Sequence, residues 1–172
     1  MQGQSFFHSE AKLEGRKHPD EVIVVGAHYD AHGPSPGAND NASGVAALLE
    51  LAEVLRPRSF SRTLRFVAFT NEEAPFTRSV EMGSRQYARR CRERRDTIVA
   101  MICLETIGCA WYEKGTQRLS FNGLLLPRRE GNGTAQFLYV VSAAWHRHAI
   151  NGLPSQWIGA FRAETAPLLT SE

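Results

Sequence analysis

A chain of 172 residues with 42% hydrophobic and 22% charged residues is long enough for one domain with its own core, and its make-up is that of an ordinary globular protein. The formal net charge of +2 is too small to point to nucleic acid or to an anionic membrane surface. Cys91, Cys103 and Cys109 are odd in number, and their spacing fits neither a zinc knuckle nor a disulfide framework.

Residues 1–20 are polar apart from Phe6 and Phe7. The N-terminus lacks the apolar region of a signal peptide, and no later stretch is long and apolar enough to span a bilayer. Ala11–Glu14 reads as an edge strand. Val22–Val25 is a β-branched run that reads as a buried strand, stopped at Gly26. From Ser43 a helix is predicted, with Val45, Leu48, Leu49, Ala52 and Leu55 at helical spacing, Asn41 or Ser43 as its cap and Pro57 beyond its end. Thr63–Thr70 is a second strand, followed by Asn71-Glu72-Glu73. A basic helix runs from Gly83 to Arg94, and its arginines, Arg85, Arg89, Arg90, Arg92, Arg94 and Arg95, read as a solvated face. Thr97–Leu104 is a third strand, ending in Glu105, and Cys103 within it reads as a core residue. Further on, Phe137–Val141 reads as a strand and Ala143–Ile150 as a short helix.

Strand, helix, strand, helix, strand implies a parallel sheet with right-handed crossovers, and apolar runs of this kind fit strands covered on both faces. Ligands of open α/β sheets bind beyond the carboxyl ends of the strands. Three strands here deliver His28, Glu72-Glu73 and Glu105 to that edge, and the loop Gly33–Gly37 brings Asn39-Asp40-Asn41 to the start of a helix. A His with several carboxylates is the ligand mixture that hard and borderline metals take.

The chemistry assigns provisional roles. Two divalent ions close together need a bridging carboxylate, and Asp40 on its tight loop is placed for that. Glu72 and Glu73 are adjacent, so their side chains diverge, and one can bind metal while the other takes a proton from water. Asp30, two residues beyond His28, is expected to orient the imidazole. Tyr29 and His32 read as neighbours rather than ligands.

Gly26-Ala-His-Tyr-Asp, Pro36-Gly-Ala-Asn-Asp-Asn-Ala-Ser-Gly-Val, Phe69-Thr-Asn-Glu-Glu and Leu104-Glu-Thr-Ile-Gly together resemble, in order and spacing, the motifs of metallopeptidase family 28, the co-catalytic di-zinc aminopeptidases. The resemblance covers about residues 20–110 of what reads as a single domain, 1–172, and leaves 118–172 without a recognised pattern. It implies a three-layer α/β/α sandwich with a mixed, largely parallel sheet. It implies peptide or protein N-termini as substrate, Zn2+ as cofactor and a secreted or periplasmic setting. His28, Asp40, Glu73 and Glu105 would be the metal ligands, with Asp40 bridging, and Glu72 the general base; the family often has Asp where Glu105 stands. The family's last ligand, a late His, has no counterpart: His146 and His148 come too early and in different surroundings. The expectation is a truncated tail, or one read in a shifted frame, with one of two zinc ions held tightly. Two rivals are a glutaminyl cyclase-like zinc acyltransferase and a non-catalytic interaction domain on the same fold. Nothing resembles the Gly-Asn-His motif of a metallophosphoesterase.

Overall fold

The computed structural model describes residues 6–109, 120–121 and 124–125. The chain divides into two compact units, Met1–Cys109 and Ala110–Glu172. The first contains β1 (Ser9–Leu13), β2 (His18–His28), α1 (Ser43–Leu55), β3 (Arg62–Phe69), α2 (Gly83–Arg94) and β4 (Thr97–Cys103). In the second, β5 (Ser120–Phe121) and β6 (Leu124–Leu125) pair antiparallel.

The four strands of the first unit form one sheet in the order β1-β3-β2-β4. β2 runs parallel to both β3 and β4, and only β1, at the edge, is antiparallel. The sheet is therefore mixed and largely parallel. Alternation along the strands feeds two cores. Val25, Ala27, Leu64 and Phe66 face Leu48 of α1, while Val22, Val24, Val67 and Phe69 face Tyr87 and Cys91 of α2. One helix on each face makes the α/β/α layering.

Helix α2 runs from Gly83 to Arg94 as the sequence predicts, and its five arginines and the capping Arg95 are all exposed. Leu49 departs from the predicted helical stripe: it is 66% exposed, because the seam of α1 on the sheet runs through Val45, Leu48, Ala52 and Leu55. β4 departs as well. It is the outermost strand of this sheet, and its residues are exposed or half-buried rather than covered on both faces. Cys103 is accordingly exposed, not a core residue. Phe137–Val141 and Ala143–Ile150 lie outside the described residues.

Gly26 has a packing reason. The Phe69 ring lies across it, and a Cβ there would meet Phe69 Cε2 at 2.3 Å. Missing side-chain bulk at the end of β2 thus lets the aromatic ring close the core just beneath His28.

Candidate metal centre

Register places the site residues. His28 pairs with Phe69, and Gly26 with Cys103, so Glu105 stands level with His28 across the β2–β4 pair. Beyond β3 the chain turns at Asn71, a buried residue with φ +55°, a left-handed conformation that Asn tolerates better than most residues. That turn presents Glu72 and Glu73 on the same edge. Gly37, with φ +66°, opens the tight turn Ala38–Ala42, which carries Asp40 to the start of α1.

His28 is the buried centre of the cluster, 3% exposed. Its Nε2 lies 3.0 Å from Asp40 Oδ1, 3.3 Å from Glu105 Oε2 and 4.0 Å from Glu72 Oε2. Its Nδ1 lies 3.0 Å from the backbone oxygen of Asp30. A carbonyl oxygen only accepts, so Nδ1 carries the hydrogen and donates it there. Nε2 then meets two carboxylate oxygens with either a lone pair or a second proton. A lone pair facing two anionic oxygens is repulsive unless a cation lies among them. The donor set fits a divalent metal for that reason, and two groupings have the required proximity: His28 with Asp40 and Glu105, and His28 with Glu72 and Glu73.

The charges of the cluster show in its titration. Burial opposes a charged His28, but Glu105, Glu72, Asp30 and Asp40 outweigh it and lift the imidazole above its ordinary range. Burial raises the Glu72 carboxyl above the usual carboxylate range; His28 opposes the rise, and Glu73, Asp30 and Asp40 add to it. Glu105 is raised likewise, first by burial, with His28 opposing and Asp40 and Glu72 adding. Carboxylates so crowded repel one another, and a divalent cation among them would relieve that repulsion.

Asp30 does more than its expected part. Its backbone oxygen holds the imidazole, and its carboxylate lies only 3.5 Å from Nδ1. Both carboxylate oxygens accept main-chain hydrogen bonds, from Glu72 N–H at 3.1 Å and from Glu73 N–H at 2.9 Å. One residue therefore fastens the end of β2 to the glutamate pair.

Residues read from the sequence only as helix caps prove to link two loops. Asn41 is not at the N-cap, which is Ala42, yet its Oδ1 accepts from Gly44 N–H at 3.1 Å. It also bonds to Leu104, Glu105 and Thr106. Ser43 Oγ donates to Asn39 O at 2.6 Å and accepts from Ile107 N–H at 3.1 Å, and Asn39 Oδ1 accepts from Gly108 N–H at 2.9 Å. The run of Asn, Asp and Ser around Asp40 was the visible signal, since such side chains seek nearby backbone groups. His32 has no part in either grouping, and His146 and His148 lie outside the described residues.

The fold and the site together define an α/β/α protein with a His–carboxylate cluster, able to hold a metal, at the carboxyl edge of its sheet. The model of peptidase family M28 matches residues 10–150, and the chain belongs to that family. The match extends on both sides of the stretch that carries the motifs. The chain is 35% identical over 161 residues to the uncharacterized protein YfbL of Escherichia coli K12, covering 88% of this chain and 44% of that protein. Among solved structures it is similar to BSAP, a zinc aminopeptidase from Bacillus subtilis, with 29% identity and a TM-score of 0.54 over 64% of this chain and 26% of that one. It is also similar to a glutaminyl cyclase from an Acidobacteriales bacterium, with 26% identity and a TM-score of 0.51 over 64% of this chain and 40% of that one. The chain spans less than half the length of each.

Proposed function

We propose that this chain carries the metal centre of a zinc-dependent aminopeptidase, which releases residues from peptide N-termini. The observation that carries the reading is His28 Nε2 facing Asp40 and Glu105 while Asp30 holds the Glu72-Glu73 pair beside it. His28, Asp40 and Glu105 would hold one zinc ion, and Glu73 would offer a carboxylate toward a second. Zinc, when bound, supplies Lewis acidity toward the scissile carbonyl and brings the pKa of water down to about 7. Glu72 takes the proton of the attacking water on its carboxylate and passes it to the leaving amine. Its raised pKa suits the first half of that exchange, because a carboxylate of higher pKa is the stronger base toward the water proton. Asp30 keeps Glu72 in place through the main chain and holds His28 in one tautomer.

Hydrolysis of an aminoacyl chromophore should cease on dialysis against a chelator and return with zinc. N-acetylation of the substrate should abolish it, because an aminopeptidase requires a free amine; equal rates on free and acetylated substrates would rule the reading out. The likeness to a glutaminyl cyclase supports a second reading, in which the substrate's own amine is the nucleophile. A peptide with N-terminal Gln separates the two: cyclisation with loss of ammonia against release of free Gln.

A further inference from the structure

We propose that Asn41 is a positioning residue of the metal centre: it locks the Asp40 turn to the segment bearing Glu105, so that both carboxylates reach His28 as a preset pair. The inference rests on the reading of His28, Asp40 and Glu105 as zinc ligands. Asn41 is 1% exposed, and it is the residue next to Asp40. A side-chain amide has two hydrogens to donate and one oxygen with two lone pairs. Here all are engaged. Nδ2 donates to Leu104 O at 2.9 Å and to Glu105 Oε2 at 3.4 Å. Oδ1 accepts from Gly44 N–H at 3.1 Å and from Thr106 N–H at 3.2 Å. A single buried group thus bonds to the first turn of α1 and to three successive residues centred on Glu105.

Two further features show that the segments are built to meet there. A Cβ on Gly44 would lie 2.4 Å from Asn41 Oδ1 and 2.6 Å from Leu104 O, so the helix start and the Glu105 segment are in contact through a residue without a side chain. Thr106 has φ +48°, a left-handed conformation that a β-branched residue rarely adopts, and its N–H is the one that Asn41 Oδ1 accepts. The Asp40 and Glu105 side chains are themselves exposed, 52% and 44%. Without the clamp each would have to be ordered when the metal binds, and that ordering is subtracted from affinity.

The chemistry names the discriminating variant. Asn41→Asp keeps both acceptor bonds but sets an oxygen against Leu104 O and Glu105 Oε2 where the donors were. Asn41→Ala removes the clamp without adding charge. In the full chain, zinc affinity measured by competition with a chromophoric chelator should fall about 10- to 100-fold in either variant, the range typical of groups that orient metal ligands. The visible absorption of the cobalt-loaded chain should change with it, since Glu105 shifts. Thr63→Val provides the control. It breaks another buried pair of hydrogen bonds, to Pro19 O and from Gly15 N–H, away from the cluster, and should leave zinc affinity unaltered. A folded Asn41 variant whose zinc affinity stays within about twofold of the parent would overturn the proposal, since orienting groups are worth far more. If neither variant folds, the parent chain decides by NMR. Zinc should shift the Asn41 side-chain amide and slow exchange at Gly44 and Thr106; no response there while His28 signals move would also overturn it. A parent chain that binds no zinc at all sinks the zinc reading itself, a separate outcome from failure of the clamp.

Discussion

Glu72 and Glu73 are neighbours in sequence, and Asp30 grips both main-chain N–H groups, yet their side chains have different work in the proposed reaction. Glu72 Oε2 is the one within 4.0 Å of His28 Nε2. Glu72→Gln should lower turnover about 10²- to 10⁴-fold, the usual worth of a general base, with zinc content unchanged. Glu73→Gln should lower zinc affinity instead, because an amide oxygen is a poorer ligand than a carboxylate. Turnover assays paired with metal analysis of each variant decide it, and exchanged behaviours would reverse the assignment. His28, Asp40, Glu72 and Glu105 were visible in the sequence because each stands just past an apolar run or in a Gly-rich loop. The polar run around Asp40 signalled backbone bonding, but the partners of Asn41 were not visible, because Leu104 to Thr106 are more than sixty residues away and only the register of β2 with β4 brings them near. The same holds for the Asp30 carboxylate: proximity along the chain suggested His28 as its partner, whereas the backbone beyond β3 takes both its oxygens.

The strands and helices of the first unit were legible from periodicity, α2 even in its ends, although β2 runs from His18 to His28, well beyond the apolar Val22–Val25, and β5 and β6 were not foreseen. The exposure of β4 was not legible: an apolar run looks the same whether or not a layer covers it. Asp96, just before β4, shows how the elements are tied beyond their apolar faces. It accepts from Arg65 Nη1 of β3 at 2.5 Å and from Arg94 Nη2 of α2 at 2.8 Å. Arg65 also faces Glu10 of β1, which accepts the Tyr87 hydroxyl of α2 at 2.6 Å. The Arg65 hydrogen bond, with help from Arg94, holds the Asp96 carboxyl well below the usual carboxylate range. Its contribution to stability is therefore complete above the unfolded-state pKa of about 3.9 and is lost as pH falls through the depressed folded value. Asp96→Asn should cost about 1.5–3 kcal/mol near neutrality, the worth of hydrogen bonds to a charged group. It should also reduce the fall in stability between about pH 5 and pH 2, because Asn has no proton to take up. Urea midpoints across that range test it: an acid limb as steep as the parent's would mean that Asp96 is not responsible.

At the scale of the whole molecule, the two groupings of possible ligands compete for one nitrogen. His28 belongs to both, and its Nδ1 is already committed to the Asp30 carbonyl, so Nε2 can serve one ion. Given to Asp40 and Glu105, it completes three protein ligands, the number that a catalytic zinc normally keeps alongside water. A second ion would be left with carboxylates such as Glu73 and no further imidazole among the described residues. Carboxylates and water alone would hold zinc more weakly than a set that includes His, so on the proposed reading the two positions would be unequal. The chain should retain about one zinc after exhaustive dialysis and show weak peptidase activity, since one ion in place of two stabilises less of the charge that develops in the transition state. Elemental analysis of the dialysed chain, with an activity assay on the same sample, is the measurement. Two retained ions with strong activity would refute the inequality and send the search for the missing imidazole to His146 and His148.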